Sequence, residues 1–343
     1  MKYLKKLIIT TLVLSLCSAG FGFSASALVI HENDFGFEVN TSKHQATLIS
    51  YSGNGGSVIL PEYFRNYPVT VIGKNAFSGN ENIKEVIFSG TNTTVEEYAF
   101  MGCSSLETVT IPENVVNFGD RAFAECGALK TVTLLSDMVS MPTNMFSGCS
   151  SLENLTINEK IADFGYGCFN GCSSLSNLDF VKNGAMLDSY SFNGGGAESV
   201  ELSDSLTAIP NYAFTNSPNL KYVTIPESVM LIQPYAFDWE NITVFCYFDS
   251  YAHAFAKEKN IPYVLINSFM LGDVNADSYI SINDVTDIQR HIAELEELNE
   301  LSLLAADANQ DRDTDISDAT TLQWYLAEFD VPYPIGEYIS HSS

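Results

Sequence analysis

Two stretches near the C-terminus concentrate oxygen-bearing side chains at matching spacing, "DVNADSYISIND" (273–284) and "DANQDRDTDISD" (307–318), with 34 residues between equivalent positions. Asp273, Asn275, Asp277, Ser281 and Asp284 align with Asp307, Asn309, Asp311, Asp315 and Asp318, at positions 1, 3, 5, 9 and 12 of a twelve-residue loop. A hard cation such as calcium takes roughly six to eight oxygen ligands, and position 7 supplies a main-chain carbonyl, here from Tyr279 and Asp313. The duplicated spacing predicts two calcium ions, one in each loop.

A solvated acidic tail is the bland alternative, and the residues between the acids argue against it. Val285, Ile288, Ile292 and Leu295 follow the first loop, and Ala319, Leu322, Leu326 and Phe329 follow the second in the same register. Those spacings place each set on one helical face. Two like charges about 4 Å apart at an effective dielectric near 20 repel by roughly 4 kcal/mol. Converging carboxylates therefore need a cation, and metal binding and folding of this segment are expected to be coupled.

The larger part of the chain, ahead of these loops, is periodic. Phe77, Phe100, Phe123, Phe146, Phe169 and Phe192 recur every 23 residues, followed by Phe214 after 22 and Phe237 after 23. Such a period means a stacked array of about eight coils, each leaving an apolar face that only its neighbours can cover. Within a coil the apolar positions fall six, nine and eleven residues after the Phe, as in Leu106, Val109 and Ile111, with Thr108 and Thr110 between them. The alternation predicts a short strand with one buried face. Outward positions are Glu85/Ile87, Thr108/Thr110, Thr131/Thr133, Asn154/Thr156, Asn177/Asp179, Ser199/Glu201 and Tyr222/Thr224. In the sixth and eighth coils the inward set is expected one residue early, at Ala197, Val200 and Leu202 and at Ile242, Phe245 and Tyr247. On the outward face only Tyr222 offers an aromatic platform.

Residues 1–27 read as a secretory signal, with Lys2, Lys5 and Lys6 before an apolar stretch (7–16) and Ala25-Ser26-Ala27 as a cleavage site. Removing those three lysines from a net charge of −26 leaves −29, which argues against a nucleic-acid partner. No later apolar stretch is long enough to span a membrane. Six cysteines remain in the exported chain, and Cys103, Cys126, Cys149 and Cys172 recur at the repeat spacing. This favours a column of small buried packing residues over disulfides or a metal set. The five histidines are scattered, so no catalytic constellation assembles by neighbourhood, and a non-enzymatic role is expected.

Segments such as "AFMGCSSLETVTIP" (99–112) resemble the leucine-rich repeats of BspA-like bacterial surface proteins over residues 28–266, including the entry segment 46–73 and the exit "FDSYAHAFAKEKNIPYVLI" (248–266). The exit is expected to be a short amphipathic helix and a final strand that cover the open end of the stack. The tandem loop-helix units, joined by a helical segment at about 296–305, resemble a type I dockerin over residues 271–329. The architecture implied is an α/β solenoid, a linker at 267–270, a small all-α calcium-binding module, and a tail at 330–343. By the dockerin resemblance the partner is a cohesin module of a scaffoldin, and its contacts map to Ile282, Asn283, Gln289 and Arg290 and to Ile316, Ser317, Gln323 and Trp324. For Ile282 and Ile316, burial against each other remains equally open. Departures are Ser278 and Arg312 where glycine is usual at position 6, and Thr314 where the first loop has Ile280.

The combined expectation is a secreted, non-catalytic protein attached to a cellulosome-type complex, with repeats that present an adhesion or protein-binding surface to an unknown protein or surface ligand. The alternative is a repeat domain that binds glycan or acts as a divergent hydrolytic accessory in polysaccharide breakdown.

Overall fold

The computed structural model describes residues 29–248, 250–266 and 268–340; the expected signal segment lies outside them. The periodic region winds into a β-solenoid of about ten turns. On one side, Gly56–Ile59, Ile83–Ile87, Thr108–Ile111, Thr131–Leu134 and Asn154–Thr156 form a five-stranded parallel ladder. Ser199–Glu201, Tyr222–Thr224, Thr243–Tyr247 and Tyr263–Ile266 form a second, four-stranded one. Two-residue strands such as Thr94–Val95 and Asn117–Phe118 line the other side of each coil. An antiparallel meander, Val29–Glu32, Phe35–Asn40 and Gln45–Tyr51, starts the stack.

The Phe column is what every coil shares. Its eight rings, from Phe77 to Phe237, are buried and stack at centroid spacings of 4.8–5.8 Å with near-parallel planes. Each ring closes the coil beneath and is covered by the next, so one residue type at one period fixes both the rise and the register. Beside it, the thiols of Cys103, Cys126, Cys149 and Cys172 donate to the carbonyl oxygens of Phe77, Phe100, Phe123 and Phe146 at 3.2–3.3 Å. All six described cysteines are free and buried. Burial pushes the Cys246 thiol up to about 11 and raises Cys103, Cys126, Cys168 and Cys172 further; in Cys126 the hydrogen bond with Cys149 is the larger cause. A thiol at these positions is a poor nucleophile. None of the six should react with an aromatic disulfide reagent in the native chain near pH 8, and all six should react after denaturation; rapid native labelling would contradict the packed column.

The structure departs from the sequence expectation at two coils. Asn177 and Asp179 do not continue the ladder: Asp179–Asn183 is a 3-10 helix, and among the described residues no main-chain hydrogen bond joins 153–157 to 176–178. The Asn177 side chain accepts the Asp179 N–H at 2.8 Å, a local turn that replaces the cross-coil bond. Phe180, where other coils carry Ile111 or Leu134, packs its ring among Phe164, Phe169 and Phe192 at 5.7–6.0 Å.

In the eighth coil the register is shifted by one from expectation. Val244 pairs with Val223, so Ile242, Val244 and Cys246 are buried and Phe245 and Tyr247 turn to the outward face. The stretch "TVFCY" is apolar at nearly every position, so its alternation is ambiguous, and a one-residue slip exchanges the two faces. In the sixth coil Ala197, Val200 and Leu202 are buried as expected.

Helix α1 (Tyr251–Lys259), capped by the Ser250 hydroxyl on the His253 N–H, buries Ala252 and Ala256 on the end of the stack, and Tyr263–Ile266 adds the last strand. The C-terminal module has its own core. Helices α2 (Ile282–Ile292), α3 (Glu300–Ala306) and α4 (Ile316–Leu326) bury Val285, Ile288, Ala306, Ala319 and Leu322 together with Leu271 and Val274. Segments expected as linker and tail take part in this module: Ser268–Met270 pairs antiparallel with Tyr338–Ser340, and Ile335 is buried in the core. Leu271 and Ile335 supply the apolar contacts that draw both ends of the chain onto the module, a pairing too distant in sequence to carry a local signal.

Candidate metal centre and docking face

Both twelve-residue loops are wired by largely the same hydrogen bonds, the bond from Val274 N–H to Asp284 having no counterpart at Ala308 among the described residues. In the first, the Asp273 carboxylate accepts the N–H groups of Asp277 and Ser278, and Asn275 Oδ1 accepts Asp277 N–H. Asp277 accepts Tyr279 N–H. Asp284 reaches back with Oδ1 to Val274 and Asn275 and with Oδ2 to Ser281. In the second, Asp307 takes Asp311 and Arg312, Asn309 takes Asp311, Asp311 takes Asp313, and Asp318 takes Asn309 and Asp315. These turns curl each loop back on itself, with the side-chain oxygens of positions 1, 3 and 5 accepting the loop's own N–H groups. Ser281 with Asp284, and Asp315 with Asp318, also form capping boxes, so positions 9 and 12 start α2 and α4 as well as closing the loops.

The donor set suits a hard cation. Asp284 and Asp318 are fully buried, Asp273 is 7% exposed, and among the described residues none of the loop acids forms an ion pair. Burial, then the neighbouring Asp284 and Asp277, raises Asp273 against the lowering effect of its two N–H bonds. Asp318 is raised by burial, with Asp307 and Asp311 adding to it. Among the described residues no three His, Cys, Asp or Glu side chains gather on one point, so carboxylates alone do not make a metal centre here.

A group whose pKa is raised in the fold binds more protons there than in the unfolded chain, so its ionisation destabilises the fold. In chelator, the module should therefore lose stability as pH rises above the ordinary value of 3.8 through the interval where Asp273 and Asp318 ionise. With calcium present the ionised forms are the binding forms, and the slope should reverse. Thermal melts between about pH 4 and 7, with and without chelator, read the sign.

The missing glycines have a visible consequence. Ser278 and Arg312 sit at φ 69° and 78°, and Ala276 and Gln310 at 59° and 58°. The left-handed region costs a side-chain-bearing residue roughly 1–2 kcal/mol. Arg312→Gly should recover about 1 kcal/mol and tighten the second loop's calcium affinity several-fold by titration calorimetry; no change, or weaker binding, would show that the arginine side chain compensates.

All eight residues assigned to partner contact lie at the surface: Ile282, Asn283, Gln289 and Arg290 on α2, and Ile316, Ser317, Gln323 and Trp324 on α4. Ile282 is 61% exposed, Ile316 60% and Trp324 56%, so the two isoleucines are not buried against each other. Arg290 is held by Glu296 at 3.3 Å. The expected inward stripe is only half inward: Val285, Ile288, Ala319 and Leu322 are buried, whereas Ile292, Leu295, Leu326 and Phe329 are exposed. Helices α2 and α4 end at Ile292 and Leu326, and left-handed Glu294 and Glu328 turn the chain away before Leu295 and Phe329. Helical spacing drew these residues into the core stripe; the helix ends place them beside the contact set, as apolar surface that the sequence did not assign there.

Two modules are thus defined, a repeat solenoid and a small unit of paired twelve-residue loops and helices. The chain belongs to the family described as BspA type leucine rich repeat region, whose model matches six copies over residues 70–196 and 185–288. The dockerin type I domain matches residues 271–327. The two overlap over 271–288, where the loop wiring and the capped α2 follow the second unit's geometry and not a coil of the stack. Both are interaction modules of non-catalytic type, typical of extracellular or cell-surface proteins. No helix among the described residues is long and apolar enough to cross a membrane. Similar solved structures include a leucine-rich repeat protein of T. pallidum, 20% identical over 59% of this chain and 85% of that one (TM-score 0.46). A leucine-rich repeat protein of Bacteroides ovatus is 20% identical over 63% and 70% (0.42), and a leucine rich cell surface protein of Faecalibacterium prausnitzii 21% over 63% and 75% (0.41). No curated protein matches the chain.

Proposed function

We propose that this is a secreted, non-catalytic protein whose C-terminal module binds two calcium ions and, in that state, docks onto a cohesin module of a scaffoldin in a cellulosome-type complex, while the repeats present a protein-binding surface. The carrying observation is the duplicated loop in which a fully buried aspartate at position 12 closes the turn and caps a helix whose outer face exposes the assigned contact residues. In that arrangement Asp273, Asn275, Asp277, Ser281 and Asp284, with the Tyr279 carbonyl, hold the first ion. Asp307, Asn309, Asp311, Asp315 and Asp318, with the Asp313 carbonyl, hold the second. The ion supplies the positive charge that lets the carboxylates of each loop converge, and so fixes the direction of α2 and α4. The protein's own part is rigidity, since each helix starts at a residue that also closes its loop.

The test is calorimetric titration of calcium into the chelator-stripped full chain, followed by capture on an immobilised cohesin with and without chelator. Two equivalents of calcium and chelator-sensitive capture support the proposal. No calcium binding, or capture indifferent to chelator, removes it.

A further inference from the structure

The ladder break and the register shift meet at one place on the strand face. Where the ladder is interrupted by Asp179–Asn183, a cavity of about 540 Å³ opens. Asn177, Asp179 and Lys182 line one side, and Glu201, Tyr222 and Phe245 the other. Tyr222 is 44% exposed and stands edge-to-face with Phe245 at 6.0 Å, an aromatic pair that exists only because the eighth coil turns Phe245 outward.

The charge at this cavity is unbalanced. Lys182, the one cation of its lining, is bound to Glu201 at 2.6 Å and also feels the charge of Asp179, which makes no salt bridge of its own among the described residues, so the lining carries one more acid than base. Asp204 and Glu227 lie close enough to add to the effect of burial in raising the Tyr247 phenol, so the acidic character continues past the cavity. A chain of net charge −26 strengthens the attraction for a cation at any such point. An exposed aromatic ring and an excess carboxylate lining the same cavity favour a cation that is partly apolar and planar. The volume falls in the range of small-ligand sites, roughly 300–1,000 Å³.

We propose that this cavity is a recognition site for a basic side chain, an arginine carried on an extended segment of a protein partner, with the guanidinium over Tyr222 and paired to Asp179. The proposal rests on the reading of the repeats as a protein-binding surface and is independent of the docking module.

The probe is the blocked tripeptide Gly-Arg-Gly, titrated calorimetrically into the calcium-loaded full chain at low salt, against its isosteric citrulline analogue and against cellobiose. The arginine peptide is expected to bind at least about 10-fold more tightly than the citrulline one. Asp179→Asn should weaken it about 5-fold and Tyr222→Ala about 3- to 30-fold, with Tyr222→Phe restoring binding. Glu113→Gln, at an exposed acid outside the cavity lining, should leave it unchanged. Equal binding of the two peptides, loss in Glu113→Gln matching that in Asp179→Asn, or no heat up to about 10 mM peptide would overturn the assignment. Equal peptide binding would spare the broader reading of the repeats as a protein-binding face, whereas preference for cellobiose would remove both.

Discussion

Asp284→Asn in the full chain is expected to lower the calcium affinity of the first loop by about 2–4 kcal/mol, roughly 30- to 1,000-fold, and Asp318→Asn to do the same to the second. Each aspartate is fully buried, its two oxygens hold the loop's N–H groups from opposite sides, and under the proposed function its charge would also belong to the cation's donor set. The amide keeps the shape but removes the charge and turns one acceptor into a donor that faces the N–H group of Ser281 or Asp315. The double variant should show no calcium binding and no capture by cohesin, while the solenoid's unfolding transition stays in place, since its core is a separate cluster. Tyr and Trp fluorescence with far-UV dichroism would separate the two transitions. Wild-type-like calcium binding by the double variant would show that position 12 is structural only.

Phe123→Ala should be the most destabilising single truncation in the solenoid, costing about 3–5 kcal/mol. Its ring lies 5.1 Å from Phe100 and 5.6 Å from Phe146, fully buried between two coils, and its carbonyl accepts the Cys149 thiol. In a stack where each coil touches only its neighbours, a defect in the middle weakens two interfaces at once. Phe237→Ala, at the last ring of the column, should cost less, because α1 and Trp239 cover that end and can close on the gap. Chemical denaturation of both variants gives the comparison; equal losses would mean that the column does not act as a chain of paired interfaces.

What could be read without coordinates was whatever repeats. The 23-residue Phe period fixes a stack because a planar ring recurring at one place in every coil has only its own copies to pack against. The loop spacing is equally legible: alternate oxygen donors followed by an acid at position 12 serve no purpose in a solvated tail, and the copy 34 residues away repeats them. Surface position was less legible. Ile282 and Ile316 are apolar, and no local pattern distinguishes an isoleucine packed on its twin from one left at the surface; the exposed first turn of each helix leaves both at the surface.

Family, solenoid architecture and the two acidic loops were therefore set by the sequence alone, through period and spacing. Tertiary structure alone decided three things. Phe180 packed among three other rings and broke the ladder at a coil of unchanged length. The strand Thr243–Tyr247, apolar in nearly every position, took its register from its neighbour Tyr222–Thr224 and turned Phe245 outward. Finally, Ser268–Met270 and Tyr338–Ser340 closed the C-terminal module by pairing across about 70 residues. In each case the decisive contact is between residues far apart in the chain or between side chains of equal local preference, so the physical choice is made by packing and not by pattern.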